Sequence, residues 1–332
     1  MLISFIIPHY NLEKRLLQRC ITSIIAQNMP VEDYEILIVD DGSYEPPMWV
    51  EKEYSQVNIK LLTTKHYGPG AARNKGIDEA QGEYIQFIDA DDSLVPDSIG
   101  YCIKLLKEKR PDILQHGYRI CHTDEQMLKS PETSTKIKTY ASGAEYVSRN
   151  NLGGSPWAYI FKRALANNHG IHFTENVMHE DEDFNIKIYY YGKKLLVCKN
   201  VIYNYYQREN SITYNNNPLH EEKRISDLFK LLKRVVKFRF HLQEECTITE
   251  RTALDRKLAM LTVDTLLNLF YNGKSAEEIE KICRNELYPL GLYPLPKKNY
   301  STKYSIFAIL ANNCTGLKLI RKILPSHKPG KK

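Results

Sequence analysis

The chain predicts an α/β fold, a mostly parallel sheet flanked by helices with a helical extension at its C-terminus. Three observations predict it. Over the first hundred residues, short apolar runs alternate with stretches of helical periodicity, the signature of strand–helix–strand crossovers. Beyond residue 218, apolar positions recur only at helical spacing, with lysines and arginines on the other faces. Finally, Val-Asp-Asp-Gly-Ser at 39–43 and Phe-Ile-Asp-Ala-Asp-Asp at 87–92 each end an apolar run in carboxylates. Open α/β sheets bind ligands beyond the C-terminal ends of their strands. Two acidic tips opening on one crevice suit Mg²⁺ or Mn²⁺ bridging a diphosphate, because these cations take carboxylate and phosphate oxygens together.

The elements follow in order. Residues 2–7 read as a buried strand stopped by Pro8. Leu16, Leu17, Cys20, Ile21, Ile24 and Ile25 give a helix over 13–28. Strands are expected at 35–39 and 58–63, and Gly68-Pro-Gly-Ala-Ala-Arg-Asn-Lys-Gly76 opens a helix running to Ala80. A strand at 83–88, a helix at 98–109 and a strand near 112–120 come next, then a polar loop at 122–136. Residues 155–214 mix aromatics with acids. Helices are expected from 218, at 250–271, at 276–287 and, weakly, at 304–323. This gives three parts, 1–100, 101–217 and a basic helical extension, 218–332.

Charge divides the chain. Residues 1–217 hold 24 Lys and Arg against 28 Asp and Glu, a balance of −4, and residues 218–332 hold 22 against 12, a balance of +10. A basic extension on a mildly acidic half suits an anionic partner, such as phospholipid headgroups or a pyrophosphate-linked acceptor. Zinc-ligand spacing, RNA-recognition signatures and helix-turn-helix patterns are missing, which argues against nucleic acid. The seven cysteines are odd in number and without Cys-x-x-Cys, which fits a reducing compartment rather than a disulfide framework. Met1-Leu-Ile-Ser-Phe-Ile-Ile is too short for a signal peptide, and no run reaches the ~20 apolar residues a membrane span needs. The expected location is cytoplasmic, with peripheral contact at the inner membrane face.

Each candidate has a functional and a structural reading. Asp89, Asp91 and Asp92 repel one another unless a cation offsets them, although Asp and Ser also cap helix N-termini. Tyr10 can stack on a base, and a carboxylate at 40–41 can accept a base's imino proton, yet Asp-Gly-Ser is ordinary turn chemistry. Arg73 and Asn74 open a helix toward the same crevice, or pair with a loop acid. Trp157 suits a sugar face or a core, and His179 a ligand or a hydrogen-bonding neighbour.

Phe-Ile-Ile-Pro-x-Tyr-Asn, Val-Asp-Asp-Gly-Ser, Gly-x-Gly-Ala-Ala-Arg-Asn-Lys-Gly-Ile and Phe-Ile-Asp-Ala-Asp-Asp, in this order, resemble family 2 glycosyltransferases of the GT-A fold, with its Rossmann-like sheet. The resemblance is strong over 1–100. It is looser through Ser155–Arg163, His179–Phe184 and Tyr206–Thr213, and nothing past 218 is diagnostic. It implies that Pro8, Tyr10 and Asp41 surround a nucleobase, that Asp89 approaches the ribose with Ala90 also in the nucleotide-sugar site, and that Asp91, helped by Asp92, takes Mn²⁺ or Mg²⁺ on the donor diphosphate. Arg73, Arg208 and Ser211 would face the same diphosphate. A Glu-Asp pair carries the base in such enzymes, which implies Glu180 and Asp181, with Asp183 as the competing choice. Trp157 and His179 would meet the acceptor.

The expected activity is metal-dependent, inverting transfer of one hexosyl or N-acetylhexosaminyl unit from a nucleotide-diphosphate sugar, UDP-linked by preference. The acceptor would be a saccharide or polyprenyl-linked saccharide hydroxyl in bacterial surface polysaccharide synthesis. The Gln-x-x-Arg-Trp pattern and membrane spans of processive synthases are missing, which favours single transfer. One rival is a nucleotidyltransferase, which would need a glycine-rich basic loop near Pro8–Lys14. The other is a binding protein with a degenerate site.

Overall fold

The structure is a computed structural model that describes residues 1–134, 136–208, 218–242 and 245–325. The chain forms two compact units. One is Met1–Gly143 with Gly154–Tyr214, the other Ala144–Gly153 with Asn215–Lys332.

The first unit holds a nine-stranded sheet. Its strands are β1 (Ile3–His9), β2 (Tyr34–Asp40), β3 (Ile59–Thr63), β4 (Tyr84–Phe87), β5 (Ser93–Leu94), β6 (Ile113–Cys121), β7 (Ile137–Tyr140), β8 (Tyr159–Lys162) and β9 (Leu195–Tyr206). They lie in the order β3-β2-β1-β4-β8-β6-β9-β5, with β7 also on β9. β3, β2, β1 and β4 are parallel, as the alternation of strands and helices predicts. β8 is antiparallel to both β4 and β6, so the sheet is mixed.

β1 runs two residues past its predicted stop. Ile6 accepts a hydrogen bond from the Ile88 N–H at 3.0 Å and Leu2 one from Tyr84 at 2.9 Å, so the even-numbered residues of β1 face β4. The N–H that Pro8 lacks would point to that side, where the ladder has ended at Ile6↔Phe87. Proline therefore costs no bond, and pairing with β2 continues through His9↔Asp40. The two strand tips finish level.

Two helices back this sheet. Lys14–Ile25 buries Leu16, Leu17, Cys20, Ile21 and Ile24, the stripe read from the sequence. Pro69–Glu79 starts on Pro69, where a missing N–H is harmless. It lies so close to β1 that a Cβ on Gly76 would stand 2.3 Å from Ile6 Cγ2. The expected loop at 122–136 contains a helical turn, Asp124–Met127, because the Thr123 hydroxyl accepts the Gln126 N–H.

An aromatic cluster joins the two acidic stretches. Phe87 on β4 meets Phe161, Phe173 and Phe184 at ring separations of 5.8, 5.5 and 6.1 Å, and Phe173 stacks on Phe184 at 3.8 Å. Phe184 lies in the helix Glu180–Tyr191. Truncating it to alanine would cost about 3–5 kcal/mol and loosen that helix.

The second unit is helical. Its long helices are Pro218–His241 and Ile248–Tyr271, the latter opened by a capping box between Thr247 and Glu250. Buried Arg256 donates to Asn151 Oδ1 at 2.9 Å and to the Tyr300 carbonyl at 3.1 Å, and Lys257 donates to the Leu152 carbonyl at 2.8 Å. These bonds tie 144–153 to this unit. Ala276–Ile282 ends in a wider π turn, Cys283–Leu287, inside the stretch expected as one helix. The weak helix expected at 304–323 is two, Thr302–Ala311 and Cys314–Ile323. Asn312 breaks it by pairing with both backbone groups of Leu295, at 2.7 and 2.9 Å, and Asn313 caps the second helix through the Gly316 N–H. Among the described residues, no helix is long and apolar enough to cross a membrane.

Candidate active site

The level ends of β1 and β2 make the first tip. Asp40 is buried and structural, one oxygen on His9 Nδ1 at 2.8 Å and both on Ser43. Ser43 Oγ in turn accepts the Asn11 N–H at 2.8 Å, which holds the loop that carries Tyr10. Asp41 faces the loop before the helix Pro69–Glu79. Its Oδ1 accepts from the Thr64 hydroxyl and the Tyr67 N–H, both at 3.0 Å, and its Oδ2 from the Gly68 N–H at 2.8 Å and His66 Nδ1 at 3.0 Å. The His66 ring stacks on Tyr10, with centroids 4.0 Å apart and planes 16° apart. Pro8 lies one residue back in the β1 ladder. Sequence reasoning missed His66. Only its place two residues before Gly68 hints at a turn next to the site.

The second tip follows β4. Asp89 is paired with Arg73 and Asp91 with Arg208, at 2.9 and 2.8 Å, and both carboxylates are partly exposed. Ala90 between them is buried. Burial and then the neighbouring Asp89 raise the Asp91 carboxyl above its ordinary range, with Arg208 working against them. The expectation that Asp92 binds metal is corrected. Asp92 is 0% exposed, and its oxygens accept from the Tyr203 hydroxyl at 2.6 Å and the Tyr206 N–H at 2.7 Å. Burial, then Asp89 and Asp91, push its carboxyl well up. Its work is to lock the acidic turn onto β9, since the same Tyr203 oxygen accepts the Asp89 N–H at 3.1 Å.

Trp157 is a second correction. It is 6% exposed and stacks on Tyr203 at 4.5 Å and 7°, then on Tyr205 at 5.4 Å. A ring packed in this way has no face for an acceptor sugar; it braces the tyrosine that holds the acidic turn.

The Glu-Asp pair opens the helix Glu180–Tyr191, where four acids in the first turn suit the positive end of the helix dipole. His179 precedes it in the left-handed region, φ +61°, and turns the chain into the helix. Asp183 is 0% exposed, with Thr174 Oγ1 at 3.2 Å and Lys187 at 3.6 Å. Asp181 is half-buried on another face. Gly154 makes its room, since a Cβ there would stand 2.9 Å from both Asp181 Oδ2 and Glu182 Oε1.

Arg73 joins the two acidic groups. Its guanidinium donates to Asp89 at 2.9 Å and to Glu180 at 2.9 Å, the latter 107 residues away from it in sequence. Burial opposes its charge, but Asp89 and Glu180 outweigh it and raise the Arg73 pKa. Arginine's planar fork suits this double contact; a lysine would hold one partner. Arg73 thus takes the loop-acid pairing, and Asn74 holds the Phe173 backbone at both ends, at 3.0 and 2.8 Å.

Asp89 and Asp91 offer hard oxygen donors whose like charge raises Asp91, the environment a divalent cation relieves. Among the described residues, no group of three or more His, Cys, Asp or Glu could hold a metal alone. The donor set fits a cation completed by substrate oxygens. Ser211 lies outside the described residues. A cavity of about 570 Å³ opens beside the first tip, lined by residues including Asn11, Lys14, Tyr44, Pro47 and Trp49. It contains neither Asp41 nor the β4 acids.

Comparison with known proteins identifies the family and the fold. Residues 4–168 match the family described as Glycosyl transferase family 2. A poly(ribitol-phosphate) beta-glucosyltransferase of Bacillus spizizenii is 33% identical over 214 residues, which are 62% of this chain and 32% of that one. This chain therefore aligns with about a third of that relative. The putative glycosyltransferase EpsH of Bacillus subtilis is 25% identical over 93% of this chain and 91% of its own. The crystal structure of S. aureus TarS 1–349 in complex with UDP-GlcNAc superposes with a TM-score of 0.69 at 19% identity, covering 97% of this chain and 89% of that one. That likeness fixes the fold as GT-A. Through the strand tips and the Arg73 helix, all within the matched residues, the chain belongs to glycosyl transferase family 2.

Proposed function

We propose that this protein transfers a single sugar, with inversion, from a UDP-sugar or related nucleotide-diphosphate sugar to a hydroxyl of a saccharide or lipid-linked saccharide. The observation that carries this reading is the Arg73 bridge, which holds Asp89 after β4 and Glu180 of the Glu180–Asp181 turn together. Tyr10 and Asp41 would take the nucleobase, by stacking and through an imino N–H. Asp91, with Asp89 beside it, would hold Mn²⁺ or Mg²⁺, which when bound supplies Lewis-acid stabilisation of the departing diphosphate. Arg208 is free to exchange one anion for another, from Asp91 to a phosphate oxygen.

Asp181 is the proposed base. It would take the proton of the acceptor hydroxyl as that oxygen attacks the anomeric carbon opposite the leaving diphosphate. Asp183 is too committed to Thr174 and Lys187 to serve. Glu180, neutralised by Arg73, would position its neighbour, and His179 would border the acceptor. The relatives named for ribitol-phosphate polymers, and TarS with UDP-GlcNAc, support a UDP-sugar and bacterial surface polysaccharide synthesis.

A lipid-linked acceptor at the inner membrane face draws support from the second unit. From Tyr288 to Lys332 there are nine Lys and Arg and no Asp or Glu. On the last two helices, Ile306, Ile309, Leu319 and Ile323 are exposed, at 56, 66, 47 and 69%. Basic helices with exposed aliphatic residues favour anionic bilayers. Co-sedimentation with phosphatidylglycerol vesicles should fall at least threefold in an Ile306→Ser/Ile309→Ser variant; unchanged binding would remove the membrane from this reading.

The deciding experiment is a product-release screen of UDP-, GDP-, dTDP- and CMP-sugars, with and without Mn²⁺, on wild type and Asp181→Asn. Release of one nucleotide diphosphate, lost in the variant, is the expected result. Pyrophosphate release from a nucleoside triphosphate would instead mark a nucleotidyltransferase.

A further inference from the structure

We propose that His66 is a built-in stand-in for the nucleobase, occupying the base position of the donor site until an incoming base of the right hydrogen-bonding pattern displaces it. The proposal rests on the reading that Tyr10 and Asp41 receive the base.

The imidazole makes both contacts that a base would make. It lies face to face with Tyr10, 4.0 Å away and 16° from parallel. Its Nδ1 is 3.0 Å from Asp41 Oδ2 and 3.2 Å from the Asp41 carbonyl. A carboxylate only accepts, so Nδ1 carries the proton and the ring presents a planar N–H donor, as an imide base does. Gly42, at φ +77°, lets the chain that carries the ring come close, because a Cβ there would stand 3.0 Å from the His66 backbone nitrogen and 3.4 Å from its Cβ.

A base on this face of Tyr10 and the imidazole cannot both be accommodated. A ring inserted between Tyr10 and His66 would need their centroids about 7 Å apart, twice the usual stacking distance. The four donors on Asp41 differ in freedom. Those of Tyr67 and Gly68 are backbone and leave only if the chain moves, and the Thr64 hydroxyl does not cover Tyr10. His66 alone blocks both the stacking face and the acceptor. Its side chain is 56% exposed, while the Asp41 side chain is 4% exposed, so rotation about the Cα–Cβ bond delivers the ring to solvent and uncovers the buried acceptor.

The exchange selects among bases. Uracil and thymine at N3, and guanine at N1, bring a ring N–H that replaces the Nδ1–H donor bond for bond. Neutral cytosine and adenine bring a lone pair to a carboxylate and leave Asp41 Oδ2 with the Gly68 N–H alone, one donor short, which is costly for a buried acceptor. Displacement thus raises the threshold for every nucleotide, and only bases with a ring N–H recover the lost bond.

Population shift sets the sign of the test. If the competent state is a fraction of the free protein, apparent affinity falls by that fraction, and removing the competitor restores it. His66→Ala should bind UDP about 3- to 10-fold more tightly than wild type by titration calorimetry. CDP should stay weak in both. In wild type, the His66 ring proton resonances should move out of the Tyr10 ring current as UDP is added. Weaker UDP binding in His66→Ala would make the imidazole a wall of the base pocket and overturn the proposal. Unchanged binding, or resonances that stay put, would overturn it as well. Tyr10→Ala separates this failure from failure of the donor-site reading: with the reading correct, it weakens UDP whatever His66 does. UDP binding indifferent to both variants would place the base elsewhere and overturn both.

Discussion

At the end of β2 the Asp41 carboxylate is held by four hydrogen-bond donors, two of them backbone N–H groups, whereas at the end of β4 Asp89 and Asp91 are each held by an arginine. Both tips are an apolar strand followed by paired acids, and in both one acid turns inward. Asp40 closes the first turn through His9 and Ser43, and Asp92 closes the second through Tyr203 and Tyr206. The outward acids differ in what offsets their charge. Oriented dipoles at Asp41 suit a neutral partner of defined donor pattern, while ion pairs at Asp89 and Asp91, the second with the more exposed Arg208, suit exchange with other ions. One tip is finished for recognition and the other for charge.

That contrast can be broken at several points. The largest expected effect lies at neither tip. Asp181→Asn should lower kcat about 10³-fold with UDP affinity within twofold of wild type, since a base acts only in the reaction. Loss of UDP binding instead would make Asp181 part of the donor site. At the charged tip, Asp91→Asn should lower kcat/KM about 10²-fold and abolish the extra thermal stabilisation that Mn²⁺ gives with UDP. At the recognition tip, Asp41→Asn should weaken UDP about tenfold with and without Mn²⁺ alike. If the Asp41 variant lost Mn²⁺ dependence, or the Asp91 variant kept it, the two tips would not have separate duties.

The smallest effect concerns the packing behind the charged tip. His116 is buried against Gln86 and near Tyr203, and burial lowers its pKa from 6.5 to about 4. A base whose folded pKa is depressed contributes its full stability above the unfolded pKa and loses it as pH falls. Between pH 6.5 and about 4 wild type should therefore lose up to about 3 kcal/mol from this group. Denaturant midpoints of wild type and His116→Gln at pH 7 and pH 4.5 measure it, with the variant expected to be less acid-sensitive.

Much of the first unit was legible because its signals are local. Apolar runs and the helical stripe from Leu16 to Ile24 predict their own elements, and the Asp-rich motifs mark the strand ends. Misreadings arose where a residue's duty depends on a distant partner. Trp157 reads equally as a sugar platform or core until Tyr203 and Tyr205 pack on it. Asp91 and Asp92 are adjacent and chemically identical. Successive residues point apart, so one meets Arg208 and the other Tyr203. The break at Asn312 hangs on Leu295, and the grouping of 144–153 with the second unit on Arg256 and Lys257.

Residue order thus carried the α/β class, the family and the list of acids, since periodicity and motif spacing are properties of short segments. Which acid faces inward, that Arg73 spans to Glu180, and that His66 lies over Tyr10 came from the folded chain. Asp92 with Tyr206, Arg73 with Glu180 and His66 with Tyr10 join residues 114, 107 and 56 positions apart, and no local pattern encodes which of several equivalent side chains will find such a partner.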